Sequence, residues 1–475
     1  MNQGDTKSEP FDPVRNKTLK EAISNGAKRF VITSASNNTN RFKAGWESLQ
    51  RYCEYTGAEL VVIPVHYKNI SLYQGSESYD KYWPKELEPY LITEKIYLGG
   101  KIQLMGNISI AATAANPLSS LSAIGGDITC IYGHPQLAME PVAAPASKRP
   151  KRVWTTGSIS IPSYSDSKLG AMGAFHHVMS ALVVEVADRE TFVRVLSIDH
   201  KGEFYDLDIK CTPKKYSEGH RATALATGDE HVKFMLPSVK KATYTDDDSL
   251  AKLIRPKYIY RNDLLDWYAG SHHHERDPVL QFQKFHKGDN DGKKELDQAL
   301  DHLAETTPKG CINRIVSSNH HDHLDQWLRR TSIDKDHVNA MLLTDLKKWV
   351  RESALKGENK SAMQLYFEKN PCGVPVEFLD RNKPCLHNGV DYSQHGDVGV
   401  NGSRGSARGI AKTTYKATIG HSHGARIVRS VFQAGTSTGR LGYENGMSDH
   451  TNTHVIHYPN GKRTIVDIIN GRFRQ

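Results

Sequence analysis

No apolar run in this chain of 475 residues reaches the roughly 20 residues that a membrane-crossing helix needs. The first residues, Met1-Asn2-Gln3-Gly4-Asp5, are polar and lack the apolar stretch of a secretory signal. Cysteine is scarce. Cys53, Cys130, Cys211, Cys311, Cys372 and Cys385 form no Cys-x-x-Cys pair, which argues against a zinc ribbon and against a disulfide-stapled secreted scaffold. No internal repeat suggests a solenoid, and no long low-complexity segment interrupts the chain. These absences lead to the expectation of a cytoplasmic protein with reduced thiols and no membrane span. The length exceeds what one hydrophobic core usually serves, so two domains are expected.

What the chain has is positive charge and histidine. Lys and Arg total 62 against 53 Asp and Glu, a net charge of +9, with an isoelectric point near 9.0 and a mean hydropathy of −0.55. Such a balance favours polyanionic partners through counterion release and steering, although a mildly basic surface without a ligand would read the same way. Histidine occurs 23 times, with many copies between 272 and 454. Imidazole is the commonest metal ligand, so the clustering points to a site.

Along the chain, residues 1–18 read as a loose, charged tail. Phe30-Val31-Ile32-Thr33-Ser34 reads as a strand, 43–56 as a helix and Leu60-Val61-Val62-Ile63 as a second strand, a βαβ unit. Short β runs follow from about 95 to 210, among them Val183–Val186 and Phe192–Leu196 as a paired segment. Residues 19–212 are therefore expected to form a separate N-terminal α/β domain of unassigned role. The run Lys148-Arg149-Pro150-Lys151-Arg152 is either a phosphate-backbone contact or a solvated loop. Residues 213–222 read as a junction. Strands then alternate with helical periodicity at 246–255, 293–306, 333–357 and 361–368. The second domain is expected over 213–475, with a helical insertion at about 333–368.

Five segments in this second half end an apolar, strand-like stretch on metal-ligand residue types. They are Gly228-Asp229-Glu230-His231, Asn262-Asp263-Leu264-Leu265-Asp266, Ser318-Asn319-His320, His395-Gly396-Asp397 and Gly420-His421-Ser422-His423. Hydrolysing a phosphoester near neutral pH requires a hydroxide nucleophile and positive charge at phosphorus. Two divalent ions roughly 3.5–4 Å apart supply both. Strand ends in successive α/β units converge on one edge of a sheet, where open α/β folds place their sites. His387-Asn388-Gly389 is a rival to His395 for the fourth motif, but His395-Gly396-Asp397 fits it better.

In this order the motifs resemble the calcineurin-like metallophosphoesterase superfamily, over about 225–440. The resemblance implies an α/β fold with a β-sandwich flanked by helices, preceded here by the N-terminal domain. It also implies that Asp229, His231 and His423 bind one metal ion, that Asp263 bridges two, and that Asn319, His395 and His421 hold the second. His320 would be the general acid, and Asp266 would orient a neighbour from behind. The chain departs from the pattern at Asn262 and Ser318, where glycine is usual. His321 stands where the family has the acid that orients its catalytic histidine, and Asp322 is expected to take that role. His272, at the start of His272-His273-His274, either lines the substrate cleft or lies on a surface loop. His323, His337 and His454 are expected to be structural or exposed.

The glycine-rich run Gly396-Asp397-Val398-Gly399-Val400-Asn401-Gly402-Ser403-Arg404 and the segment Gln433-Ala434-Gly435-Thr436-Ser437-Thr438 resemble a branch of tailed bacteriophages described as DNA-transfer or host-DNA-degradation proteins. That resemblance implies a DNA nuclease with two divalent ions. Mn²⁺ is preferred, with Mg²⁺, Fe or Zn²⁺ as alternatives, since the oxygen and nitrogen donors include no thiolate. It further implies DNA as partner, with Arg404 approaching the phosphate backbone, and homo-oligomers, with other phage or host proteins as further partners. The location would be the host bacterial cytoplasm. Two other readings stay open: a phosphatase or nucleotide phosphodiesterase on the same site, and a non-catalytic DNA-binding or host-interaction protein.

Overall fold

Long buried β-branched runs and short three-residue ones both become strands in the computed structural model, which describes residues 13–67, 83–413 and 415–475. The first twelve residues of the expected tail lie outside these. Val14–Ser24 is helical, so the expected tail does not extend to residue 18. Leu19 on this helix is fully buried, and that burial holds the segment against the rest.

The βαβ unit is present. Strand β1 (Arg29–Ser36) runs parallel to β2 (Glu59–Val65), joined by the helix Lys43–Thr56. Trp46, Leu49 and Tyr52 are its buried stripe, three residues apart, and Gly57 ends it in the left-handed conformation. Next in the chain come β3 (Lys95–Gly99), β4 (Ile102–Met105), β5 (Thr129–Tyr132), β6 (Met139–Val142) and β7 (Lys151–Thr155). The hairpin of β8 (Ser180–Ala187) and β9 (Glu190–Ser197) extends the first pair into a sheet of order β2-β1-β8-β9. A small antiparallel sheet follows, made of β10 (Phe204–Asp206), β11 (Ile209–Cys211) and β12 (Tyr216–Ser217).

Two sheets position the candidate site. The first contains β13 (Ala224–Ala226), β14 (Tyr258–Arg261), β15 (Ile312–Ile315) and β16 (Val376–Phe378), which run parallel to one another. The second receives β17 (Leu386–His387), β18 (Val390–Asp391), β19 (Lys416–Ile419), β20 (Arg426–Val428) and β21 (Val431–Gln433). Finally β22 (Thr453–His457) and β23 (Arg463–Asp467) return to the first, giving the order β16-β15-β14-β13-β22-β23. One apolar cluster joins both sheets and the β1–β2 sheet: Ala226, Tyr260 and Val455 meet Val390, Phe432, Met139 and Ile32. A second cluster packs the helices Gly292–Thr306, Asn319–Arg330, Ala340–Leu355 and Ala362–Lys369 around Leu264, Leu265 and Trp267.

The N-terminal segment is not a separate body. The second large sheet runs β17-β18-β19-β21-β20-β6-β7-β5-β4-β3, so half of its strands precede residue 212 and half follow it. Arg152 on β7 forms a buried ion pair with Asp467 on β23, and Val195 N–H donates to Thr464 Oγ1 at 2.8 Å. Pattern reading locates strands but not their neighbours, which is why the boundary looked like a domain junction. The same ion pair removes Arg152 from the basic run at 148–152. Lys151 is also engaged, donating to Ile124 O at 2.7 Å. Among the described residues no helix is long and apolar enough to cross a membrane.

Candidate metal centre

Parallel pairing of β13, β14 and β15 turns their carboxyl ends the same way. Each end leads straight into ligand-type residues: Asp229 and His231 after β13, Asp263 and Asp266 after β14, Asn319 and His320 after β15. The parallel pair β18 and β19 does the same with His395, His421 and His423. The loops are held from behind. Thr436 Oγ1 and Ser437 N donate to Asp229 O at 2.9 and 2.8 Å, and Gly228 N–H donates to His454 Nδ1 at 2.9 Å.

Four of these residues carry backbone that side chains disfavour: His231 at φ 37°, Asp263 at 41°, His421 at 77° and His423 at 53°. Left-handed backbone at non-glycine positions costs roughly 1–3 kcal/mol each and concentrates at functional sites.

Three groups of side chains place ligand atoms within 4.8 Å of one another: Asp229 with His231 and His423, Asp229 with Asp263 and His395, and His231 with Asp263 and His320. The imidazoles share one arrangement. His231 Nδ1 lies 2.9 Å from Asp266 Oδ1, His395 Nδ1 is 3.3 Å from Asn262 Oδ1, and His423 Nδ1 is 3.1 Å from Glu444 Oε1. Their Nε2 atoms turn the other way, onto the carboxylates. His395 Nε2 is 2.9 Å and His231 Nε2 3.8 Å from Asp263 Oδ2, and His423 Nε2 is 3.4 Å from Asp229 Oδ2. His231 Nε2 and His423 Nε2 approach within 3.3 Å. An outer oxygen beside Nδ1 orients the ring and aims Nε2 into the cluster, the arrangement that metal-binding histidines share.

The residues fit a metal on a second ground. Asp229 Oδ2, Asp263 Oδ1 and Asn319 Oδ1 are buried without a hydrogen-bond partner, which is costly unless a cation satisfies them. The buried His and Asp clusters can therefore hold a metal ion. Charge in the cluster is mutually compensating. Burial opposes ionisation of Asp263, but His395 and His320 hold its carboxyl well below the usual range. Burial likewise opposes protonation of His395 and His320, and the facing carboxylates overcome it. Asp263 and Asp229 raise His395 to about 9, while Asp263 and Asp266 raise His320 to about 10.

His320 and Asn319 open the helix Asn319–Arg330, whose N-terminus Ser318 caps by accepting from His321 N at 3.3 Å. Serine at the usual glycine position thus has a structural job. Asn262, the other departure, donates to Thr227 O at 2.8 Å while its Oδ1 faces His395. The acid beside His320 is Asp266, whose Oδ1 and main-chain O lie 3.3 and 3.2 Å from His320 Nδ1. Asp322 does not orient His320. It pairs with Arg381 at 3.0 Å instead, because residues two apart on a helix face different ways. His321 Nε2 faces Leu265 N at 3.4 Å, and burial pushes its imidazole down to about 3.

His421 joins none of the three groups. Its ring meets His395 edge-on at 5.4 Å between centroids, and its main-chain N–H donates to Asp229 Oδ1 at 3.1 Å. His387, the rival of His395, lies outside the cluster, 2.9 Å from Arg314 Nη1. Arg404 is exposed on a turn closed by Gly399 N–H to Ser403 O and is not brought into the cluster. His272 gathers with His273 and His323 rather than with the carboxylates. His337 is exposed, while His454 is buried.

Sequence reasoning missed Glu444, His450 and Arg381. Glu444 accepts from Leu441 N at 2.8 Å and lies 3.1 Å from both His423 Nδ1 and His450 Nδ1. Arg381 ties Ser317, Asp322 and Asp397 together beside the helix start. None belongs to a motif. The signal available was the need for an oxygen behind each ligating histidine, which names the requirement but not the residue.

The chain is 29% identical over 464 residues to a protein of Escherichia phage T5 named Protein A1, an alignment covering 94% of this chain and 83% of that protein. The similarity supports a phage origin. No family model matches the chain, and no solved structure matches it.

Proposed function

We propose that this chain is a metal-dependent deoxyribonuclease that hydrolyses phosphodiester bonds with two divalent cations. The observation that carries the reading is the set of three imidazoles, His231, His395 and His423, each with an outer oxygen within 3.3 Å of Nδ1 and with Nε2 turned onto Asp229 or Asp263. Asp229, His231 and His423 would hold one cation. Asp263 would be shared by both, and His395, Asn319 and the neighbouring His421 would hold the second. The oxygen and nitrogen donor set favours Mn²⁺. Bound divalent cations acidify water and neutralise charge developing on the phosphate.

The protein's own residues do the rest. His320, protonated and steadied by Asp266, donates its proton to the leaving sugar oxygen as the P–O bond breaks. Arg381, held between Asp322 and Asp397, fixes the loops on either side of the helix start. The net charge of +9 suits DNA, and the phage relative suits a role in host-DNA degradation or phage DNA transfer in the host cytoplasm. A homo-oligomer remains part of this reading.

The test supplies purified protein and Mn²⁺ with linear duplex, circular duplex, single-stranded DNA and a small chromogenic diester. DNA cleavage that disappears in Asp263→Asn and His320→Ala is the expected result. Cleavage unchanged in both variants would overturn the assignment. Turnover of the small diester alone would replace the nuclease by a small-molecule phosphodiesterase.

A further inference from the structure

We infer that His272, His273 and His323 form a separate mononuclear site for a late first-row transition metal, Zn²⁺ above all, at the edge of the catalytic cluster. A nitrogen of each ring lies within 4.8 Å of the other two. The ring centroids are 3.9 Å apart for His272 and His273, 4.8 Å for His272 and His323, and 5.5 Å for His273 and His323. Two different elements build the cluster. His272 and His273 are consecutive in the 3-10 turn His272–His274, and His323 lies on the helix Asn319–Arg330.

Two observations argue for a cation here rather than a chance stack of rings. His272 Nδ1 is buried and has no hydrogen-bond partner. Among the described residues none of the three rings forms an ion pair or hydrogen bond with a carboxylate. The donor set also differs in kind from that around Asp229 and Asp263. Three imidazoles with no carboxylate suit Zn²⁺, Cu²⁺ or Ni²⁺ and disfavour Mn²⁺ and Mg²⁺. Three protein ligands leave a fourth position of the zinc tetrahedron open. His323 stands 5.0 Å from His320, ring to ring, so the site adjoins the cleft without using its ligands.

A metal at this point would cross-link the 3-10 turn to the helix that presents Asn319 and His320. The inference does not depend on the nuclease reading, because its readout is metal content rather than cleavage. Full-length wild-type protein and His273→Ala are each saturated with MnCl₂, exposed to excess ZnCl₂ and passed through gel filtration. Zinc per chain is then measured by inductively coupled plasma mass spectrometry. His273 is exposed, so the variant should fold, and circular dichroism checks that it does. Any exchange of zinc into the carboxylate cluster affects both proteins equally and cancels in the difference.

The expected result is one more zinc per chain in the wild type than in His273→Ala, with the same deficit in His272→Ala. Zinc K-edge absorption of the difference should report a nitrogen shell dominated by imidazole. Equal zinc content in wild type and both variants overturns the inference. A deficit whose zinc shell contains carboxylate oxygen from the Asp229–Asp263 cluster overturns it as well.

Discussion

A Cβ added at Gly420 would lie 2.3 Å from Asp229 Oδ1, closer than any real contact allows. Gly420→Ala must therefore displace the carboxylate shared by two of the three ligand groups. We expect Mn²⁺ affinity to fall by about 10–100-fold, the range seen when a ligand's support is disturbed, with unchanged circular dichroism. Isothermal titration with MnCl₂ reads it. At the same scale the two acids near His320 separate cleanly. Asp266→Asn removes the carboxylate 3.3 Å from His320 Nδ1 and 2.9 Å from His231 Nδ1 and should lower kcat of the proposed DNA cleavage by roughly 10²–10⁴-fold, the worth of general acid catalysis. Asp322→Asn should lower kcat far less, because Asp322 faces Arg381 rather than His320. Equal losses in the two variants would refute this division of roles. Residues such as Asp229, His231 and His423 were legible because each motif is local in sequence. Glu444 and His450 were not, since their place beside His423 is defined only by where the chain returns.

Short strands behave differently from single residues, because what holds them lies behind the site. Arg261, the last residue of β14, is fully buried and donates to Glu230 Oε1 at 2.9 Å, Asn313 Oδ1 at 2.9 Å and Thr306 Oγ1 at 3.1 Å. One guanidinium thereby joins the loop after β13, strand β15 and the helix Gly292–Thr306. Arg261→Met would strand the Glu230 carboxylate, which Arg261 now holds at about 2 against the effect of burial. Breaking such a buried pair costs about 3–5 kcal/mol, and urea unfolding should show a loss of that order. Helices with a continuous apolar stripe, Lys43–Thr56 and Gly292–Thr306, were legible from their 3.6-residue spacing. Strands of two or three residues, such as β12, β17 and β18, carry no period at all. Only their pairing partners define them.

Across the whole molecule, the ten-stranded sheet binds the two halves of the chain into one unit. A fragment of residues 213–475 would expose β20 where β6 should pair and leave Asp467 without Arg152. We expect that fragment to lack a cooperative urea transition, and a cooperatively unfolding fragment would show the halves to be independent. Acid should loosen the same assembly. Glu185 on β8 is bound by Arg194 and Arg29 and accepts from Gln475 N at 3.1 Å. Burial alone would raise its carboxyl, but Arg194 foremost holds it at about 2, against an ordinary 4.5. A depressed carboxyl contributes stability above its unfolded value and loses it as pH falls through the folded one. Urea midpoints should accordingly drop between pH 4.5 and pH 2, and Glu185→Gln should flatten that part of the profile. The sequence pattern could not reveal this unity, because a strand's alternation is the same whichever partner lies beside it.

The pairing of β6 with β20 also sets a timetable. During synthesis the ribosome releases β3 to β7 long before β19 to β21, and Asp229 long before His423. The early strands must wait with an open edge, a state prone to mispairing. The late strands that close this edge also deliver His421 and His423. A chain interrupted before β19 would therefore lack both the finished sheet and the last imidazoles. If the proposed nuclease is correct, cutting power would arise only when translation has passed Gly420-His421-Ser422-His423, so truncated copies should be harmless to the DNA around them.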